Sequence, residues 1–320
     1  MINKEKYRLF CEKENTIPVF SQAWWLDSLA GDDWGVCLVE KGGKIQASMP
    51  YLLTNRYGLT YLGQPQLTQN LGPWLRPSTA KYSKRLSQEK DLMEALIDGL
   101  PTYHSYKQNW HHSQTNWLPF HWRGFEQTTG YTYLIEDLSD LDQVWSGFQA
   151  NIRTDIRKAE NKFGIEVRVD LPLSELLRLN SLTFRRQSID MPYAESFVSR
   201  LVESAREHNQ CQWFVAQDVE GKSHAGVLVV WDSSSAYYIM GGGDPELRNS
   251  GATSLCMWEA IKFASTVTEK FDFEGSMIEP VERFFRAFGA KQTPYFSVTH
   301  TPSRLLNVAQ CFKKALQGRS

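Results

Sequence analysis

The sequence has no apolar run that approaches the roughly 20 residues of a membrane-spanning helix. Its first residues, Met1 to Lys6, also lack the apolar centre of a signal peptide. A charge imbalance is missing too, because 35 basic and 36 acidic residues give a net charge of −1. Such a balance provides no general attraction to DNA or to an anionic membrane. We therefore expect a cytoplasmic protein that has no DNA partner and no integral membrane association.

Cysteine is scarce, and its five positions are far apart in the chain. No Cys-x-x-Cys pair occurs, and no histidine stands at metal-ligand spacing beside any of the cysteines. Isolated cysteines in such a setting are typical of reduced thiols that pack as small apolar groups. The sequence therefore predicts no metal site. The cysteines are Cys11, Cys37, Cys211, Cys256 and Cys311.

The chain contains an internal repeat. Residues 34–63 read as three strands joined by two tight turns, and the same order returns at 213–241, about 180 residues later. A second match, between 122–131 and 285–295, follows in the same order. Two matching blocks predict duplicated domains. The length of 320 residues and the 42% of hydrophobic residues are enough for two cores.

The pattern of alternating helices and strands predicts an α+β fold in which each half has a mixed, mainly antiparallel sheet flanked by helices. We assign residues 1–135 to an N-terminal domain and 163–320 to a C-terminal domain. We predict a linker helix over residues 136–162, whose basic side chains are Arg153, Arg157, Lys158 and Lys162.

A glycine-rich loop is the sharpest chemical signal. Three glycines end a predicted strand, and Arg-x-x-Gly-Ala-Thr then begins a long predicted helix. Unpaired N–H groups at a helix start attract anions, and glycine allows close approach, so the loop predicts a pyrophosphate site. An ordinary turn before a helix is the alternative. The first-half stretch 63–72 has no Arg-x-x-Gly, which places the donor in the second half. The candidate donor-binding residues are Met240, Gly241, Arg248, Gly251, Ala252 and Thr253.

Two further segments carry candidate substrate-binding residues. Arg153 and Arg157 lie on one side of the predicted linker helix, where they suit an anion clamp; a solvated helix with ion pairs is the alternative. The segment 184–193 joins two predicted helices and is either an acceptor lid or a plain surface loop. The candidates there are Arg186, Gln187 and Tyr193.

Together, these motifs resemble a known family. The meander, the Arg-x-x-Gly loop that begins a helix and the next strand resemble the GNAT acyltransferase fold. The segments 153–160, 271–276 and 283–289 resemble the FemAB-like group of double-GNAT proteins. The resemblance covers roughly residues 15 to 300. It implies two tandem GNAT-like domains, of which only the second holds the pyrophosphate of coenzyme A, with an acyl-CoA donor and no metal.

The FemAB-like group includes aminoacyltransferases that transfer amino acids from aminoacyl-tRNA to peptidoglycan precursors. In these enzymes a Phe-Lys-x-x-Phe-Gly pattern places a lysine near the reacting carbonyl. Phe285 stands at that position in this chain, and Arg286 follows it as a candidate substrate-binding residue. The long helical hairpin of some members is also missing. Both departures disfavour tRNA as a partner.

Acyl transfer requires a base, a group that polarises the donor carbonyl and a proton donor for the leaving group. Asp272 and Glu274 stand two residues apart on a predicted strand, which would turn both to one side. Tyr238 is the candidate proton donor. As an alternative, Glu274 caps the turn before Gly275.

Three functions remain open. The leading hypothesis is an N-acyltransferase that uses a coenzyme A thioester and an amine acceptor such as a sugar nucleotide or cell-envelope precursor. The second is a FemAB-type aminoacyltransferase that uses aminoacyl-tRNA. The third is a non-catalytic double-GNAT protein that binds a partner.

Overall fold

The computed structural model describes residues 2–186, 189–275 and 277–302. Their contacts divide the chain into two compact units. The described parts of Met1–Gly130 and Pro294–Ser320 form the first unit, and Tyr131–Thr293 form the second. The predicted linker segment 136–162 thus lies within the second unit.

The first unit is built around a sheet in the order β1-β2-β3-β5-β12, with the short β4 also paired to β2. Its elements are α1 (Ile2–Cys11), α2 (Ala23–Ala30), β1 (Trp34–Lys41), β2 (Lys44–Arg56), β3 (Leu59–Gly63), β4 (Trp74–Leu75), α3 (Tyr82–Asp98), β5 (Ser105–Asn109), α4 (Leu118–Trp122), the beginning of β6 (Glu126–Ile135) and most of β12 (Lys291–His300).

Two tight turns form the predicted meander. Gly42 and Gly43 connect β1 to β2 with φ angles of 58° and 72°, and Tyr57 and Gly58 connect β2 to β3 with φ angles of 54° and 74°. Two consecutive positive φ angles are typical of the hairpin turn whose twist matches that of the flanking strands. The two turns therefore fix the strand register, from Lys41 opposite Lys44 onward.

Strand β3 is interrupted and resumes as β4, because both pair with β2: β3 with Leu52–Arg56 and β4 with Ala47 and Ser48. The segment that leads into α3 is therefore 76–81, after β4. The repeat pattern matched the stretch 63–72 to the loop before the long helix of the second half. In the structure this stretch comes between β3 and β4, so it is not the segment that leads into α3.

The second unit has a sheet in the order β6-β11-β10-β9-β8-β7. Its elements are the end of β6, α5 (Leu141–Gly147), α6 (Ala150–Phe163), β7 (Glu166–Arg168), α7 (Leu173–Arg186), α8 (Glu195–Glu207), β8 (Cys211–Gln217), β9 (Ser223–Trp231), β10 (Ala236–Gly243), α9 (Ala252–Ala264), β11 (Phe271–Asp272), α10 (Glu279–Arg286) and the beginning of β12.

Helices cover both faces of this sheet. Strand β9 is buried at its first eight positions, which explains its nearly continuous apolar run. Ala225 and Val227 belong to the same core cluster as Leu255 of α9. Gly226, between them, faces α7, since a Cβ at Gly226 would lie 2.9 Å from Leu176 Cδ1. Alternate residues of a strand point to opposite sides, so α9 and α7 lie on different faces.

The last strand of each sequence half joins strands from the other half. In the first unit, β12 pairs antiparallel with β5, from Ser297 opposite Asn109 to His300 opposite Tyr106. In the second unit, β6 pairs antiparallel with β11 through Ile135 and Leu134. The repeat of 122–131 at 285–295 thus marks two equivalent strands that are exchanged.

The α+β prediction is confirmed, since both units combine a largely antiparallel sheet with flanking helices. Ser21 ends a 3-10 turn over Val19–Ser21, and Gln22 precedes α2 without a side-chain cap. Within the described ranges, no helix is long and apolar enough to cross a membrane.

Candidate active site

The site is centred on a fork between two parallel strands of the second unit. Strand β11 pairs with β10 only through Phe271 opposite Ala236 and Asp272 opposite Tyr237, and then it ends. Strand β10 continues to Gly243 and contains a bulge, because Tyr238 and Met240 pair with the consecutive residues Val229 and Leu228. A bulge leaves its extra residue unpaired and bends the strand. Beyond Tyr237, β10 therefore has an edge that β11 does not cover.

The glycine run at the end of β10 lies directly against α7. A Cβ at Gly242 would meet the backbone N of Asn180 and the carbonyl oxygen of Leu179 at 2.4 Å. Asn180 Nδ2 donates to the carbonyl of Gly241 (2.7 Å), and the N–H of Gly243 donates to Thr183 Oγ1 (3.1 Å). The close approach of α7 thus accounts for glycine at 242. The carbonyl of the donor-site candidate Gly241 already has a partner, and Met240 is buried.

The predicted donor loop is seated on α6. Arg248–Ser250 form a 3-10 turn, and Gly251 follows with φ 83°. A Cβ at Gly251 would lie 2.2 Å from the carbonyl oxygen of Asp155, so only glycine fits this position. The side chain of Arg248 is exposed and makes no hydrogen bond or ion pair with the described part of the chain.

Helix α9 starts without a side-chain cap. Its first N–H groups have no partner within the helix, although the Ala252 N–H makes a long hydrogen bond to Ser250 Oγ (3.4 Å). The helix dipole adds partial positive charge at this end. Ala252 is buried in the first turn, whereas Thr253 is exposed beside the loop. A free guanidinium next to an uncapped helix start suits a phosphate group.

Asp272 and Glu274 lie at the fork. Asp272 is buried; it accepts hydrogen bonds from the hydroxyl of Thr132 and from the N–H of Glu274 (2.8 Å). Glu274 itself lies beyond the end of β11 and has φ 59°. The expectation that both carboxylates share one strand face is therefore wrong, because a left-handed turn, and not strand alternation, directs Glu274.

The carboxyl group of Glu274 is poorly satisfied. Its Oε1 is buried and has no hydrogen-bond partner in the described part of the chain. The alternative that Glu274 caps the next turn stays a prediction, because Ser276 lies outside the described residues. Gly275 follows with φ 56°, and a Cβ there would meet the carbonyl oxygen of Tyr131 at 2.0 Å. A rare backbone conformation that the surrounding structure enforces is often found at functional sites.

Burial is the largest cause of the pKa shifts of both acidic groups. It raises the pKa of Asp272 to about 7, against the hydrogen bonds from Thr132 and the Glu274 N–H, which lower it. It also raises the pKa of Glu274 well above its usual range, and the charges of Asp272 and Asp232 add to the rise. Within the described ranges, no three acidic, histidine or cysteine side chains form a metal-binding group.

Two tyrosines stand near the same strand. The hydroxyl of Tyr238 lies against Gly241, and its ring packs against Phe285 with centroids 5.8 Å apart. Burial raises the pKa of Tyr238 above its usual range. Tyr193 donates its hydroxyl proton to Asn180 Oδ1 (3.2 Å), which links the segment before α8 to the end of β10.

The cationic candidates are mostly engaged elsewhere. Arg153 donates to the carbonyls of Ser146 and Phe148 at the end of α5, and Arg157 lies over the ring of Trp145 at 5.6 Å. The ion pair of Arg286 with Glu282, at 2.8 Å, holds its guanidinium on α10. Arg186 is exposed at the end of α7, and Gln187 lies outside the described residues. Of these arginines, Arg186 alone has no partner in the described ranges.

Phe285 occupies the position where aminoacyltransferases are expected to have a lysine. Its side chain is 4% exposed and packs against Phe273 and Tyr238. Arg286, one step along the helix, faces Glu282 instead of this core. The fork thus has no cation from this part of α10.

The equivalent fork of the first unit is closed. Strands β3 and β5 pair in parallel at Tyr61 and Leu62, and the chain pairs again where Leu71 meets Trp110. The Trp110 ring is fully buried, and a Cβ at Gly72 would lie 2.4 Å from it. An aromatic side chain therefore fills this fork, whereas β10 and β11 of the second unit are not paired beyond Tyr237.

The sequence did not identify Thr132, Asn180 and Thr183, which hold the two strands of the fork. Asn180 did carry a signal, since it stands among the leucines on the apolar side of α7 and is 3% exposed. A buried amide needs hydrogen-bond partners, and here it finds a carbonyl and a tyrosine hydroxyl.

Comparisons with known proteins agree with this geometry. The family described as acetyltransferase (GNAT) domain matches residues 146–277, which include the fork and the loop before α9. No curated protein sequence matches the chain.

Three solved structures share its fold. FemX is 13% identical with a TM-score of 0.68, over 92% of this chain and 96% of FemX. The C-terminal domain of a proposed lysylphosphatidylglycerol synthetase from Agrobacterium fabrum is 13% identical with a TM-score of 0.58, over 98% and 96%. L-PGS from Bacillus licheniformis is 12% identical with a TM-score of 0.55, over 99% and 97%.

The family match falls on the segment that carries the open fork, and the similarity to FemX extends over both units. The chain therefore contains an acetyltransferase (GNAT) domain over residues 146–277, and it shares the fold of FemX.

Proposed function

We propose that the protein is an N-acyltransferase that moves an acyl group from a coenzyme A thioester to an amine. The observation that carries this proposal is the open fork between β10 and β11, with the buried carboxyl group of Glu274 at its base. The exposed Arg248 and the uncapped start of α9 would hold the pyrophosphate of the donor. Thr253 and the N–H groups of the first turn would contact the same phosphates.

The side chains at the fork match the needs of the reaction. As the amine nitrogen bonds to the carbonyl carbon and the C–S bond breaks, the amine gives up one proton and the sulfur takes one up. In this proposal the Glu274 carboxylate accepts the amine proton, and Tyr238 donates a proton to the sulfur. Asp272 is a positioning residue, because it binds the N–H of Glu274 and so holds the left-handed turn.

The geometry favours a thioester over an aminoacyl-tRNA donor. Phe285 is part of the core, and Arg286 is paired with Glu282, so neither supplies the cation expected beside an aminoacyl ester. The fold similarity to FemX motivates the aminoacyl-tRNA alternative. Incubation of the protein with labelled acetyl-CoA or with charged tRNA, each with an amine acceptor mixture, would distinguish the two donors.

For the acceptor, we propose a sugar-nucleotide or cell-envelope precursor with a free amine. The support comes from the fold neighbours, one of which is named for the synthesis of lysylphosphatidylglycerol. Arg186 and Tyr193, near the end of α7, are the proposed acceptor contacts, with Arg153, Arg157 and Arg286 giving positive charge at a distance.

Calorimetric titration with coenzyme A and acetyl-CoA tests the donor assignment. We expect micromolar binding to the wild type and a loss of at least about tenfold in Arg248→Glu, since a charge-assisted contact becomes a repulsion. Arg200→Glu is the matched control, because it makes the same charge change at an exposed position on α8 of the same unit. Equal affinities for the wild type and Arg248→Glu would remove the loop from the donor site.

A further inference from the structure

A cavity lies in the first unit, at the place that corresponds to the donor loop. There β4 ends at Leu75, the segment 76–81 follows, and α3 begins at Tyr82, which is the same order as β10, loop and α9 in the second unit. A cavity of about 660 Å³ opens between this segment, α3, the turn between β1 and β2, and residues 113–115.

The wall of this cavity is cationic. Lys41, Arg76 and Arg85 line it together with Glu89, which pairs with Arg85 at 3.5 Å. Lys41 is exposed and makes no ion pair within the described ranges. Arg76 is held in place, since it donates to the carbonyl of Ile45 (3.0 Å) and to Glu14 (2.8 Å). Each of the two arginines is thus balanced by a carboxylate, and the uncompensated charge of Lys41 in a concave site attracts an anion.

The remaining lining is mostly made of neutral hydrogen-bonding groups. Hydroxyls come from Ser78, Thr79, Ser113 and Thr115, and side-chain amides come from Gln46, Gln88 and Gln114. Beside Pro77 and the alkyl parts of the polar residues, Leu75 and Leu92 supply the apolar surface. Many donors and acceptors on several sides suit a ligand that carries several hydroxyl groups.

The closed fork of the first unit limits what this ligand can be. Trp110 and its pairing with Leu71 leave no channel for the long arm of an acyl thioester. A second acyl-CoA is therefore a poor fit, whereas a compact ligand that stays at the level of segment 76–81 is not hindered.

We propose that this cavity binds a phosphorylated sugar, with the phosphate near Lys41, Arg76 and Arg85 and the sugar hydroxyls on the neutral polar wall. The site is independent of the proposed acyl donor and would exist even if the donor assignment to the second unit were wrong.

The test is titration of the full chain with glucose 1-phosphate and with inorganic phosphate. We use the Arg248→Glu protein beside the wild type, so that any phosphate binding at the α9 loop is removed. Lys41→Glu and Arg85→Glu should each weaken glucose 1-phosphate binding by about tenfold or more. Lys84→Glu is the matched control, because Lys84 is an exposed residue of α3 that does not line the cavity.

Binding that survives Arg248→Glu, is lost in Lys41→Glu and Arg85→Glu and persists in Lys84→Glu would support the proposal. It is overturned if glucose 1-phosphate does not bind, or if Lys84→Glu weakens it as much as the two cavity variants. Equal affinities for glucose 1-phosphate and inorganic phosphate would overturn the sugar assignment.

Discussion

Asp272 and Glu274 differ in what surrounds them, although only Phe273 separates them in the chain. Asp272 Oδ1 accepts from Thr132 and from a backbone N–H, whereas Glu274 Oε1 is buried without a partner in the described ranges. An acceptor whose hydrogen bonds are satisfied suits a positioning role. A buried carboxyl group with a raised pKa and a free oxygen suits proton transfer near neutral pH.

Glu274→Gln keeps the size of the side chain and removes the base. We expect the kcat/KM of acyl transfer to fall about 100-fold or more, while coenzyme A binds as in the wild type. Because the pKa of Glu274 is raised, wild-type activity should increase with pH as this carboxyl group loses its proton. A variant as active as the wild type, in initial-rate assays across pH, would exclude Glu274 as the base.

Asp272 makes stability depend on pH. Its pKa is raised from 3.8 to about 7 in the folded protein, so the folded state binds more protons than the unfolded state between these values. The contribution to the free energy of unfolding is fully present below about pH 4 and is lost as pH rises to about 7. At about 1.4 kcal/mol for each pKa unit, it amounts to a few kcal/mol.

Asp272→Asn should remove the part of the pH dependence that comes from Asp272, since the amide oxygen still accepts both hydrogen bonds but carries no charge. The raised pKa of Glu274 leaves a dependence of the same sign in both proteins. Urea unfolding of both proteins at about pH 5 and pH 8 provides the measurement. The wild type should lose stability relative to the variant at the higher pH. Parallel changes in the two proteins would mean that other groups govern the pH dependence.

At this scale the sequence predicted which residue types gather at the fork, but not how they are oriented. The spacing of Asp272 and Glu274 drew attention to both, yet the left-handed turn at Glu274 depends on Gly275 packing against Tyr131, more than 100 residues away in the chain. Thr132 was missed for the same reason. Contacts between distant segments leave no local pattern.

Among the elements, the end of β10 shows how one motif serves two purposes. Its glycines resembled a phosphate cradle in the sequence, and Gly251 does stand before an uncapped helix. Gly242, however, is needed because α7 touches the strand backbone. The sequence located the loop correctly. It could not distinguish Gly242, which packs against α7, from Gly251, which precedes α9.

Gly242→Ala should therefore destabilise the protein, because the new Cβ would meet the backbone of α7 at 2.4 Å and neither element can move away freely. We expect a loss of roughly 1–3 kcal/mol in the free energy of unfolding, as for other overpacked positions. Gly147→Ala is the control, since a Cβ there has no neighbour within 4 Å. Equal midpoints for Gly242→Ala and the wild type in urea would show that α7 and β10 are more loosely packed.

For the whole molecule, the two units differ at equivalent forks. The second unit leaves its fork open, and the first fills it with Trp110. We therefore expect one molecule of coenzyme A to bind per chain. Calorimetry with a known active fraction gives this ratio directly, and the Arg248→Glu protein should show no residual coenzyme A site. A ratio of two would require the first fork to open.

The repeat in the sequence correctly indicated two related α+β units, and the donor loop in the second of them stays a prediction. It did not indicate that the final strands are exchanged, because 122–131 and 285–295 match each other equally well in either arrangement. Only the pairing of Ser297 with Asn109, and of Phe271 with Ile135, distinguishes exchange from a simple tandem.

This exchange has a consequence for how the chain folds. The pairing of β12 with β5 joins residues about 190 positions apart, and the pairing of β6 with β11 joins residues about 135 positions apart. Closing such long loops costs chain entropy before the contacts repay it, which slows folding. The first unit cannot complete its sheet until β12 has been synthesised, so β5 waits for a partner strand about 190 residues further along the chain.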